Sequence, residues 1–129
     1  MAKPNIDHLN LLVSSLDTSL PYYECLLELL GFKRNRKTIW SNNDGFFLQI
    51  QQAKPGTREY ERYGAGMNHL GFKAESAQEV HDIRQAMQDA GFEAPEIQDL
   101  DGVIALFMKD PDGIRFEISY YPPGTKVFD

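Results

Sequence analysis

Two histidines, one glutamine and one glutamate stand at matching places in a sequence that repeats itself. His8 sits in Ile6-Asp7-His8-Leu9 and His69 in Met67-Asn68-His69-Leu70. Gln49 sits in Asp44-Gly45-Phe46-Phe47-Leu48-Gln49-Ile50 and Glu117 in Asp112-Gly113-Ile114-Arg115-Phe116-Glu117-Ile118. With one copy laid over the other, His8 falls on His69 and Gln49 on Glu117. A duplicated unit that packs on its copy about a pseudo-twofold axis brings equivalent residues together. Two imidazoles, an amide oxygen and a carboxylate brought to one point are a donor set for a divalent metal ion.

The elements that must position these residues can be read around them. Residues 5–13 are rich in Ile, Leu and Val and predict a strand buried on both faces. Ser15-Leu16-Asp17-Thr18 is a turn with Asp17 and Thr18 as cap candidates. From Ser19 to Leu30, apolar residues recur at helical spacing, and Gly31 suits the C-terminal cap. Lys37–Ser41 and Phe46–Gln52 predict two strands joined at Asn42-Asn43-Asp44-Gly45. The first repeat, about 4–53, thus reads strand, helix, strand, strand. The basic run Lys33–Lys37 reads as a solvated strand start. Residues 54–66 are either a plain linker or a lid over a pocket.

The second repeat, about 67–121, opens with a strand over Met67–Ala74. Ser76 and Glu79 form a capping box for a helix that runs to about Ala90 and stops at Gly91. An extended segment follows near Phe92–Ile97. Strands at Val103–Lys109 and Ile114–Tyr120 flank the turn Asp110-Pro111-Asp112-Gly113, and a tail fills 122–129.

Strand alternation places every candidate ligand on the less greasy face of its strand. His8 shares a face with Asn10, Gln49 with Phe47, and Glu117 with Arg115 and Ser119. The greasier faces are left to pack against the two helices. The opposite face can then curve around a polar cavity, for which Asn10, Trp40, Phe47, Met67 and Arg115 are the expected substrate-binding residues. His81 falls away from its helix's apolar stripe and reads as solvated. Cys25 reads as a small buried residue, since no helix N-terminus or basic partner is near it in sequence.

Size and composition agree with one domain of 129 residues spanning the chain, with no run long enough to span a membrane. A net charge of −6 disfavours nucleic acid as a partner. A single cysteine and a start, Met1-Ala2-Lys3-Pro4-Asn5, that leads directly into a strand predict a cytoplasmic protein.

The duplicated pattern, the Asn68-His69-Leu70-Gly71-Phe72 strand and the ending from Asp110 to Glu117 resemble the vicinal oxygen chelate superfamily over about residues 4–121. That group includes glyoxalase I, fosfomycin-resistance thiol transferases, methylmalonyl-CoA epimerases, extradiol dioxygenases and bleomycin-resistance proteins. The resemblance implies an α+β fold of two paired βαβββ modules forming an open, curved mixed sheet around a metal cavity, with helices outside. It maps the metal ligands onto His8, Gln49, His69 and Glu117, for Zn, Ni, Mn, Fe or Co. Enzymes of the glyoxalase I type commonly carry Glu where this chain has Gln49. His8, His69 and Glu117 also form a two-histidine, one-carboxylate triad.

The implied activity is that of a lyase or isomerase acting on a small carbonyl or hemithioacetal substrate, with Glu117 as the general base at an enolate-forming step. The alternatives are a dioxygenase-like Fe(II) or Mn(II) enzyme and a non-catalytic drug-binding dimer. Thiol transfer to fosfomycin fits poorly, because Asp99-Leu100-Asp101-Gly102-Val103 offers no cationic cradle. A homodimer is implied, with modules pairing within one chain or swapping between two.

Overall fold

The structure is a computed structural model that describes residues 3–128. The start at Met1-Ala2 and the last tail residue, Asp129, lie outside the described residues. The chain divides into two compact units, Met1–Glu59 and Tyr60–Asp129. The first holds β1 (His8–Val13), α1 (Leu16–Leu29), β2 (Lys33–Arg36), β3 (Ile39–Ser41) and β4 (Phe47–Gln52). The second holds β5 (His69–Lys73), α2 (Ala77–Asp89), β6 (Gln98–Leu100), β7 (Val103–Lys109) and β8 (Arg115–Tyr120). Each is a βαβββ module with one mixed four-stranded open sheet, ordered β1-β4-β3-β2 and β5-β8-β7-β6. The first and last strands of each module pair in parallel, and the other neighbours are antiparallel.

The local chemistry of the two modules is the same at three junctions. Ser15 and Ser76 cap the helix N-termini, accepting from Thr18 N at 3.3 Å and Glu79 N at 3.1 Å. The cap of α1 is therefore Ser15 rather than Asp17 or Thr18. Glu79 reaches back to the amide of Glu75, at 3.2 Å, one residue before the cap. Both helices end in a Schellman motif. Gly31 and Gly91 take φ of 87° and 90°, and the amides of Phe32 and Phe92 return to the carbonyls of Leu27 and Met87. The turn before each last strand is clipped by one side-chain oxygen. Asn42 Oδ1 accepts from Asp44 N and Phe46 N at 3.0 Å each, and Asp110 Oδ1 accepts from Asp112 N and Ile114 N at 2.8 Å each.

One face of each sheet buries the core. In the first unit Val13, Trp40, Leu48 and Ile50 are buried, along with Leu20, Tyr23, Leu26 and Leu27 of α1. In the second, Leu106, Met108, Phe116 and Ile118 are buried, along with Val80, Ile83 and Met87 of α2. Three expectations need correction. β1 is not buried on both faces: it is an edge strand whose His8, Asn10 and Leu12 are exposed. The basic run Lys33–Arg36 is a complete strand, with a bulge between Arg34 and Arg36. The extended segment after α2 becomes a strand only at Gln98, because Phe92 closes the helix cap and Pro95 O accepts from Arg84 Nε at 2.7 Å.

Candidate functional site

Register fixes where the candidate ligands sit in each module. His8 pairs with Phe47 and Asn10 with Gln49; His69 pairs with Arg115 and Gly71 with Glu117. In both sheets the Gln or Glu stands two residues past the partner of the His, on the face turned away from the helix. The alignment read from the sequence is thus reproduced by the strand pairing itself.

In the first unit His8 is half exposed and stacks on Phe47, with ring centroids 4.6 Å apart and planes 11° apart. Its Nδ1 donates to Asp7 Oδ2 at 2.6 Å, so Nε2 is the ring nitrogen that contact leaves available. Gln49 is half-buried between Asn10 and Ile39.

The second unit repeats this arrangement with a charge added. His69 Nδ1 lies 2.7 Å from Asn68 Oδ1, and Asn68 Nδ2 donates to Arg62 O at 3.0 Å, so the amide oxygen must face the imidazole. Nδ1 therefore carries a proton. The ring's Nε2 lies 3.2 Å from Glu117 Oε1. The other carboxylate oxygen, Oε2, accepts from the buried Ser119 hydroxyl at 2.5 Å. A ring nitrogen and a carboxylate oxygen at 3.2 Å form an ion pair when the ring carries a second proton, and stand as two donors to one cation when it does not. The Glu117 side chain is 18% exposed, so solvent screens the pair only in part. Beside it Gly71 lacks a side chain, and a Cβ there would meet nothing within 4 Å, so the face over Glu117 is open.

The chemistry of this donor set fits a divalent metal. Each unit offers an imidazole whose Nδ1 is engaged, with an oxygen donor on the same face of the sheet. Among the described residues no group of three or more His, Cys, Asp and Glu gathers. Each module on its own therefore presents a His and one oxygen donor.

The expected cavity residues divide. Asn10 and Phe47 lie on the face of His8 and Gln49, and Arg115 on that of His69 and Glu117. Trp40 does not: it pairs with Leu48, lies on the helix-packed face and is 0% exposed, which makes it core. Arg34 covers its ring at 4.9 Å. Met67 precedes β5, and its carbonyl accepts from Tyr60 OH at 2.8 Å. The second half of the 54–66 loop is thus tied to the start of β5. His81 is exposed on α2. Cys25 is half-buried, and burial pushes its thiol pKa up, with the carboxylates of Glu28 and Glu24 adding to the effect. The sequence reading missed Asp7, Asn68 and Ser119 as supports. Asp7 and Asn68 were visible as repeat-equivalent polar residues directly before each His.

Two βαβββ modules with a His and an oxygen donor at the same register define a class. The chain belongs to the Glyoxalase/Bleomycin resistance protein/Dioxygenase superfamily, whose family model matches residues 5–118. It is 34% identical over 123 residues to the uncharacterized protein YqjT of Bacillus subtilis (strain 168), covering 86% of this chain and 94% of that one. A crystal structure of a Bacillus halodurans protein aligns with a TM-score of 0.74 at 25% identity, over 90% of this chain and 95% of that one. The fold is also that of a glyoxylase/bleomycin resistance protein/dioxygenase domain from Frankia sp. EAN1pec, with a TM-score of 0.74, 23% identity and 96% of both chains covered. No helix among the described residues is long and apolar enough to cross a membrane.

Proposed function

We propose that this chain is a divalent-metal-dependent enzyme of the glyoxalase type, a lyase or isomerase that moves a proton on the carbon next to a carbonyl. Its substrates are small carbonyl compounds or hemithioacetals. His8, Gln49, His69 and Glu117 are the metal ligands, one imidazole and one side-chain oxygen from each module. The observation that carries the reading is the approach of His69 Nε2 to Glu117 Oε1 at 3.2 Å, with the far atom of each side chain already engaged. When bound, the cation supplies Lewis-acid stabilisation of negative charge developing on substrate oxygen.

The chain's own residues account for the rest. Asp7 and Asn68 hold the imidazoles in the tautomer that offers Nε2. Ser119 fixes the orientation of the Glu117 carboxylate through Oε2, and that carboxylate is the base of the set. An amide is not a base, so Gln49 cannot share that work and the proton falls to Glu117. A drug-binding module without catalysis has no need of a carboxylate pinned in this way.

The test is turnover on hemithioacetals of glutathione and other thiols. Wild type should show metal-dependent turnover, and Glu117→Gln should lose roughly 10²-fold or more, the usual size of a general-base effect. No turnover on any member, with metal bound, would remove the glyoxalase reading and leave the ligand assignment standing.

A further inference from the structure

Arg115 stands beside the His69–Glu117 pair with its charge unused. It is the strand partner of His69 on one side and of Lys109 on the other, and it shares the open face with Glu117 two residues on. Its Nε is buried and has no hydrogen-bond partner. No ion pair joins it to a carboxylate among the described residues, and its cross-strand neighbour on β7 is another cation. A guanidinium keeps its proton throughout the working pH range, so a buried Nε–H without an acceptor is costly to hold in place. Such a group asks for an acceptor that arrives from outside.

The duplicated frame does not require this charge. At the equivalent position the first module carries Phe47, which stacks flat on His8. The two modules thus share the imidazole, its supporting side chain and the oxygen donor, and differ in what flanks the imidazole. One flank is an aromatic ring and the other a forked cation. Groups common to both copies suit a role they share, and a group found in one copy suits recognition of one end of an asymmetric substrate.

We infer that Arg115 binds a carboxylate of the substrate, so that the substrate class is a small carbonyl compound or hemithioacetal that also carries a carboxylate. The inference rests on the proposed function, which makes the His69–Glu117 pair the reaction centre. The planar fork of a guanidinium matches the two oxygens of a carboxylate and orients it as well as attracts it. Arg115 flanks His69 in the strand register while Gly71, the strand partner of Glu117, leaves the face beside the pair open to a small molecule.

Binding tests this without relying on turnover. Calorimetric titrations of the purified protein use pyruvate, the neutral ketone hydroxyacetone and inorganic phosphate, with metal content measured on the same samples. Arg115→Gln should weaken pyruvate binding about tenfold or more, as expected for lost hydrogen bonds to a charged group. It should leave hydroxyacetone binding and metal content unchanged. Arg115→Lys keeps the charge without the fork and should fall between the two. It also carries the test if the glutamine variant does not fold. Unchanged pyruvate affinity in the folded variants would overturn the inference, as would phosphate binding more tightly than pyruvate in an Arg115-dependent way. Arg115-dependent pyruvate binding to a protein that holds no metal would sustain the inference and sink the proposed function. A metal-loaded protein indifferent to Arg115 would do the reverse.

Discussion

Glu117 has one oxygen tied to Ser119 and the other facing His69, so changes around it separate its roles. Ser119→Ala removes the buried hydroxyl but keeps the carboxylate. It should lower metal affinity by about 10–100-fold, the usual effect of losing an outer-shell partner, and calorimetry of metal binding checks it. Gln49→Glu supplies a second carboxylate at the repeat-equivalent position. It should bind metal more tightly than wild type and keep or gain isomerase turnover, which the same titration and the hemithioacetal assay check. Cys25 belongs to the residue scale as well. Burial and its two glutamate neighbours raise its pKa above the ordinary 9.0, so little thiolate forms at neutral pH. Alkylation should be slow near pH 7 and still be rising, without levelling off, at pH 9; rapid labelling at pH 7 would contradict the assignment. At this scale the strand faces of His8, Gln49, His69 and Glu117 were the most legible feature, because repeat equivalence and alternation agreed there. It was least legible at Trp40, which sits in a three-residue strand too short to show alternation.

The elements are fixed by caps and clips that occur in both modules. Where such a device is spelled by residue type, the sequence showed the element: Ser76 with Glu79 marks α2, and Gly31 and Gly91 mark the helix ends. β7 was legible with its bounds intact, because Val103–Lys109 is apolar and ends at a strong turn signal. β2 and β6 were not, for physical reasons. Both are sheet edges with few apolar side chains, and neighbouring strands rather than local pattern hold them in place. The turn clips offer a direct check at this scale. Asp110 is 4% exposed and its carboxylate takes two backbone amides, so Asp110→Ala leaves both without their acceptor. The loss should be about 1–3 kcal/mol, read from denaturant unfolding. Asn42→Ala, in the more exposed equivalent turn, should cost less. Equal losses would mean that burial does not set the cost.

At the scale of the whole molecule, duplication is the organising fact. Each module has a sheet with one covered and one open face, and β1 and β5 stand at the sheet edges. Open edges and a half-exposed polar face favour a symmetric partner, and a homodimer is the expected state in solution. Light scattering at micromolar concentration checks it, and a monomer mass of 14.7 kDa would count against it. The central claim concerns the four ligands, and metal stoichiometry tests it most directly. Purified wild type, dialysed against a mixture of Zn, Ni, Mn, Fe and Co and assayed by elemental analysis, should retain close to one divalent ion per chain. Glu117→Gln, which keeps the shape but removes the only carboxylate of the set, should lose most of it while remaining folded by circular dichroism. Full metal content in a folded Glu117→Gln protein would contradict the account.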